Sequence, residues 1–176
     1  ETGQLALLAR RFDATIFAAV PGVYRQMLKP GLPPLPRLRH GLAAGEPLPP
    51  ALRQAWRAAT GTDLHEALGM TEVSTYLSGS PARPAPEGTA GFPQPGRRLA
   101  VLGPEGPLGP GEPGELAVDR RDPGLMLGYW QDEAATAARF TGDWFRTGDL
   151  AEWTAEGAVR FLGRAGAGAR RCLERV

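Results

Sequence analysis

Lysine is nearly absent from this chain of 176 residues: Lys29 stands alone, and every other basic side chain is an arginine or one of two histidines. A site that needs a compact ammonium must use Lys29 or do without one. Cysteine occurs once, at Cys172, which excludes an internal disulfide and a cysteine-rich metal site and fits a reducing, cytoplasmic setting. His40 and His65 differ in context and have no obvious third ligand, so they are read as strand residues rather than a metal pair. No apolar run approaches the roughly 18 residues that span a bilayer, and no charged-then-apolar leader opens the chain. A net charge of +1 with pI ≈ 8.3 gives no electrostatic case for nucleic acid or an anionic membrane. The first residue is Glu1 rather than Met, so the chain is expected to be a piece of something longer.

Glycine (24) and proline (18) are abundant instead, and they fall between short apolar segments, as punctuation between elements. Ala14 to Val20 has strand length and is ended by Pro21-Gly22; Val23 to Leu28 suits a short helix stopped at Lys29-Pro30-Gly31. Arg37 to Ala43 reads as a second strand, leading into Gly45-Glu46-Pro47. Pro49 and Pro50 open a helix whose Leu52, Ala55, Trp56 and Ala59 share one face, with Gly61 as its stop. Leu64 to Leu68 returns as a third strand and delivers Gly69-Met70-Thr71-Glu72 at its carboxyl end. Strand-helix-strand alternation predicts a parallel sheet, whose ligands bind beyond the carboxyl ends of the strands.

After the proline-rich stretch from Pro81 to Pro86 the pattern changes. Leu99 to Leu102, Gly114 to Val118, Trp144 to Arg146 and Ala158 to Phe161 read as short strands of a small antiparallel sheet or barrel. One helix, Glu133 to Arg139 with Asp132 as its N-cap, interrupts them. The expected division is a parallel α/β part over 1–87, a β-rich part over 88–163 and an irregular tail over 164–176, including Arg170-Arg171. Trp56, Trp130, Trp144 and Trp153 are read as packing aromatics.

Chemistry concentrates in two stretches. In Glu66-Ala67-Leu68-Gly69-Met70-Thr71-Glu72, a strand-end glycine permits close backbone approach, a threonine hydroxyl can bond a phosphate, and a carboxylate suits Mg²⁺. On the residues alone, the stretch is equally a strand-turn-helix junction in which Thr71 caps the next helix. In Trp144-Phe145-Arg146-Thr147-Gly148-Asp149, a carboxylate follows a glycine turn after an aromatic strand and can accept two neighbouring hydroxyls. Arg164 is a matching donor, and Phe161 can flank a ring; singly, these are a surface Asp, a surface Arg and a core Phe.

The ordered series Gly114-Glu115-Leu116, Gly128-Tyr129-Trp130, Gly142 to Asp149 and Gly163-Arg164, following Gly69 to Glu72, resembles the adenylate-forming superfamily. That family contains acyl-CoA synthetases, luciferases and peptide-synthetase adenylation domains. The resemblance runs from about Asp13 to Arg164 and looks like the later part of the family's large domain, in a relative of medium-chain, benzoate-like or other small-acid acyl-CoA synthetases, with fatty acid metabolism as the implied setting. It implies ATP, Mg²⁺ and coenzyme A as co-substrates and cofactor, and a carboxylic acid as substrate. By the resemblance, Thr71 and Glu72 are catalytic, with Glu72 holding the metal. Gly45, Glu46, Pro47, Glu66, Ala67, Leu68, Gly69, Met70, Asp149, Phe161 and Arg164 then contact the nucleotide. Leu68 stands where the family often has an aromatic residue, so adenine packing there is expected to be aliphatic. The family's phosphate loop and its small mobile domain with a catalytic lysine have no counterpart here. Alternative readings are a non-catalytic remnant and an adenylation module that loads a carrier protein.

Overall fold

The computed structural model describes residues 2–165, so the expected tail from 166 onward, with Cys172 and Arg170-Arg171, lies outside the described residues. The chain divides into two compact units. One runs up to Gly69 and includes Ser78–Ala85; the other joins Met70–Leu77 to the residues from Pro86 onward.

The first unit begins with α1 (Thr2–Arg11), continues through β1 (Ile16–Ala19), α2 (Pro21–Leu28), β2 (His40–Ala44) and α3 (Pro50–Thr60), and ends on β3 (Asp63–Met70). β1 pairs with β2 and β2 with β3, both in parallel, as the strand-helix alternation predicts. Helix α1 had no counterpart among the expected elements. β1 ends just before Pro21-Gly22, as expected, and the same pair also starts α2, ahead of the expected Val23: proline's fixed φ suits the first helical turn, where its missing N–H is no loss. Helix α3 buries Leu52 and Trp56 and stops at Gly61, whose left-handed φ of 70° lets its N–H reach the Arg57 carbonyl.

Tyr24 organises the core of this unit. Its hydroxyl bridges the carbonyls of Phe17 (2.7 Å) and Leu42 (2.8 Å), tying α2 to the neighbouring strands β1 and β2. Its ring meets Trp56 edge-on at 4.8 Å. Gly41 leaves room for this arrangement, since a Cβ there would lie 2.8 Å from Leu64 Cδ1 and 3.0 Å from the Tyr24 hydroxyl.

The second unit contains β4 (Ser74–Ser78), β5 (Phe92–Pro93), β6 (Leu99–Gly103), β7 (Gly106–Pro107), β8 (Gly114–Asp119), α4 (Glu133–Ala138), β9 (Phe140–Thr141), β10 (Trp144–Trp153) and β11 (Val159–Arg164). β4 pairs with β5, and the rest form an antiparallel sheet in the order β11-β10-β8-β6-β7, with β9 on β10. β8 is buried along its whole length, including Glu115 and Asp119. β10 carries register shifts between Arg146 and Leu150 and at Leu150/Ala151, irregularities that bend a strand and re-aim its side chains. Asp132 caps α4, its Oδ1 accepting from Ala135 N at 2.8 Å. Trp130 corrects the expectation for the tryptophans: Trp56 is fully buried, but Trp130 is 89% exposed. No helix of the described residues is long and apolar enough to cross a membrane.

Candidate functional site

In the first unit, Gly45-Glu46-Pro47 leaves β2 next to the place where β3 ends. Ala43 pairs with Glu66 and Ala44 with Ala67, so the exposed turn and the Glu66-to-Met70 segment share one end of the parallel sheet. Gly45 has φ 88°, a left-handed conformation natural to glycine, and Val20 Cγ1 would lie 3.4 Å from a Cβ placed there. Glu46 pairs loosely with Arg25 at 3.8 Å on the surface. Burial pushes the Glu66 carboxyl up from its ordinary range, opposed by the Leu48 backbone N–H and by Arg53. That hydrogen bond links the strand end to the residue after Pro47. Ala67 is buried, Leu68 and Met70 are half-buried, and Gly69 is exposed, which leaves its backbone accessible.

His40 and His65 are strand residues, as expected, and His40 lies at the start of β2, away from the Gly45 turn. They sit on adjacent strands with ring centroids 5.7 Å apart. His40 Nδ1 and His65 Nε2 are buried without a hydrogen-bond partner.

In the second unit, Thr71-Glu72-Val73 forms a turn into β4, so the helix-cap alternative for Thr71 does not hold. Thr71 is exposed; Glu72 is half-buried and fixed twice. Its backbone carbonyl accepts from Met126 N at 2.7 Å, and its Oε1 accepts from the Tyr129 hydroxyl at 2.8 Å. A carboxylate with one oxygen held this way has a second to offer a cation, and Mg²⁺ is commonly held by one or two carboxylates together with substrate phosphates. No group of three or more His, Cys, Asp or Glu side chains among the described residues could hold a metal by itself.

Asp149 lies on β10, 6% exposed, and its Oδ1 accepts from Arg164 Nη1 at 2.6 Å across the pairing with β11. Burial pushes its carboxyl up, and Arg164 and then Arg139 pull it back. Burial and then the Asp149 carboxylate raise the fully buried Tyr76 hydroxyl. Glu115 builds the turn that presents Asp149. It accepts Arg146 Nε at 2.9 Å on Oε2, pairs also with Arg146 Nη2, and accepts Gly148 N at 3.2 Å on Oε1. The Thr147 hydroxyl donates to Leu116 O at 2.7 Å and receives Asp149 N at 3.1 Å. Gly148, at φ 79°, makes the bend possible. Phe161 is 40% exposed on β11, so it is not a core residue.

Of the second unit's sequence-predicted residues, Asp149 and Arg164 are in direct contact, Glu72 is tied to the Gly128-Tyr129-Trp130 segment, and Met70 and Thr71 lead into that turn. Tyr129, Glu115, Tyr76 and Arg139 were missed as functional neighbours. A signal existed for two of them, since Tyr129 and Glu115 lie inside motifs already singled out.

The family model of the AMP-binding enzymes matches residues 2–130. Anthranilate–CoA ligase of Pseudomonas aeruginosa is 35% identical over 87% of this chain and 29% of its own length. Benzoate–CoA ligase of Thauera aromatica is 35% identical over 89% of this chain and 30% of its own. Among solved structures, the anthranilate CoA ligase AuaEII in complex with anthranoyl-AMP superposes with a TM-score of 0.78 at 30% identity, covering 93% of this chain and 32% of that one. The chain thus spans under a third of these relatives. Its parallel and antiparallel sheets, its ordered motifs and these matches agree that the chain belongs to the AMP-binding enzyme family.

Proposed function

We propose that this chain is part of an ATP-dependent acid–CoA ligase that couples a carboxylic acid to AMP, releases pyrophosphate, and passes the acyl group to the coenzyme A thiol. The observation that carries the reading is Asp149: a buried carboxylate, braced by Arg164 and presented on a glycine turn that Glu115 builds. A carboxylate held this way accepts two vicinal hydroxyls, as a ribose offers, and its cost of burial is recovered when they donate to it. Arg164 is the neighbouring donor for ribose or phosphate oxygen. For Gly45-Glu46-Pro47 and Glu66 to Gly69 of the first unit, the support for nucleotide contact is the family resemblance alone.

Glu72 is the residue that would hold Mg²⁺, and the cation when bound would neutralise phosphate charge as the acid's carboxylate approaches. The chain's own part is to aim that carboxylate, through Tyr129 and Met126 N, and to place the Thr71 hydroxyl beside it. The names of the two ligase relatives above point to an aromatic carboxylic acid as substrate, and the single cysteine is what supports a cytoplasmic setting. A non-catalytic role for the chain as given is favoured by one specific feature: Lys29, its only lysine, caps the carboxyl end of α2 rather than lying in either motif.

The test is pyrophosphate release by the protein from the complete gene, with ATP, Mg²⁺ and a panel of benzoates, anthranilate and medium-chain acids. Pyrophosphate formed only in the presence of an acid, with AMP appearing when coenzyme A is added, is the expected result. ADP and orthophosphate as the sole products contradict it.

A further inference from the structure

The basic residues around the Asp149 turn do not cancel. Arg146 pairs with Glu115, and Arg164 pairs with Asp149. Arg139, which follows α4, pairs with no carboxylate among the described residues. Its Nη2 donates to the Thr147 carbonyl at 3.1 Å, and Arg164 Nη1 approaches the same oxygen at 3.5 Å. A Cβ built on Gly148 would be 4.0 Å from Arg139 Nη1 and 4.0 Å from Arg164 Nη1, so both guanidinium groups flank that glycine. The Arg139 guanidinium carbon lies 5.1 Å from the Phe145 ring centroid, and its Nε is buried without a partner. Two like charges held close, with one carboxylate between them, leave a surplus of positive charge beside the turn. An anion relieves it.

We propose that Arg139 binds phosphate at the nucleotide site, taking the phosphate of a nucleotide whose ribose Asp149 holds. This rests on the nucleotide reading of Asp149 given above. In a chain with one lysine remote in sequence from both motifs, a guanidinium braced by Phe145 and Thr147 supplies fixed cation density. Its fork suits phosphate oxygens better than a single ammonium does. Arg139 follows directly from α4, so the Asp132 cap that fixes the helix also fixes the origin of its side chain.

The test is calorimetric titration of the protein from the complete gene, its folding followed by circular dichroism, with AMP, adenosine and inorganic pyrophosphate as separate probes. The variants are Arg139→Gln, Arg139→Lys, Asp149→Asn and, as a surface control, Arg160→Gln. Wild type should bind AMP more tightly than adenosine. Arg139→Gln should weaken AMP binding about tenfold, a typical size for losing one charged hydrogen bond, and leave adenosine unchanged. Arg139→Lys should recover part of the loss, and Arg160→Gln should change neither ligand. If Arg139→Gln is unfolded, the lysine variant decides: a smaller loss confined to AMP supports the proposal, and no loss overturns it. A folded Arg139→Gln chain with wild-type AMP affinity overturns it, while loss of AMP binding in Asp149→Asn alone keeps the nucleotide reading. Pyrophosphate binding that depends on Arg139, without binding of either nucleoside, keeps the anion site and overturns the nucleotide reading. Binding of none of the three overturns both.

Discussion

The Tyr129 hydroxyl donates to Glu72 Oε1 at 2.8 Å, joining two motifs 57 positions apart in sequence. The contact is not an isolated one, because Met126 N holds the Glu72 carbonyl at 2.7 Å from the same segment. The Glu72 charge in turn pushes the Tyr129 hydroxyl up through this hydrogen bond, so the tyrosine stays protonated and remains a donor at neutral pH. One carboxylate oxygen is thereby occupied and the side chain's rotamer is fixed.

Tyr129→Phe should therefore keep the fold and weaken the response to the divalent cation. In the protein from the complete gene, the Mg²⁺ concentration giving half-maximal adenylation should rise roughly three- to tenfold, the size of one ordinary net hydrogen bond. A Mn²⁺ titration followed by water-proton relaxation gives the same comparison without turnover. An unchanged cation requirement would make the contact purely structural.

Glu115→Gln should act on the turn rather than on ligand chemistry. The substitution removes the ion pair with Arg146 and weakens the hold on Gly148 N, with Glu115 9% exposed. A partly buried pair broken on one side costs about 1–3 kcal/mol, readable as a lower unfolding midpoint in urea. Arg146→Met together with Glu115→Leu should recover part of that loss, since no unpaired charge is left behind. Equal midpoints for wild type and Glu115→Gln would count against the bracing role.

Much of this was legible in the sequence, where local rules and tertiary packing agree. Gly61 stops α3 and Asp132 caps α4 because those signals act within one turn of chain. The register of β2 on β3 and the partner of Glu72 depend on residues far along the chain, which periodicity cannot supply. Pro21 serves two uses at once: it follows the end of β1, as read, and it also opens α2, before the expected helix start at Val23. Thr71 illustrates the limit of such local signals, since a threonine before an acidic residue signals a helix cap equally well. The structure continues as a turn into β4, with Ser74 at φ 64°. The histidine pair was hidden because facing across strands is a property of register.

That pair gives a pH dependence with a definite sign. Burial lowers both histidines; Arg39 adds to the effect at His40, and the His40 charge adds to it at His65, where Asp63 opposes and Arg53 assists. Lowered values favour the neutral rings, so their contribution to stability is complete above the ordinary value of about 6.5 and is lost as pH falls through the depressed values. Glu66 runs the other way: its raised value favours the protonated form, so it recovers stability as pH falls through that value. The unfolding midpoint should drop as pH is lowered from 7.5 to 5.5, and His65→Gln should flatten that slope. A slope identical in both proteins would remove the pair from the account.

Asp149 connects stability to binding, and here the two respond to pH in opposite directions. Its carboxyl is raised by burial against the pull of Arg164, so the folded chain holds its proton more tightly than the unfolded one. The stability it contributes is present below its ordinary value of about 3.9 and is lost as pH rises through the raised value. At neutral pH the ionised carboxylate thus opposes folding. Protonation removes acceptor capacity for a ribose hydroxyl and weakens the pair with Arg164. AMP affinity of the wild-type chain should therefore fall as pH is lowered through the raised value, in the same range where Asp149 stops opposing folding. Asp149→Asn should unfold at a higher urea concentration than wild type at pH 7.5, bind AMP at least tenfold more weakly, and lose this acid-side dependence. The tenfold figure is the modest end for losing a charge-assisted acceptor. An asparagine variant that binds AMP as well as wild type, with the same pH profile, would show that the buried carboxylate serves the sheet and not the nucleotide.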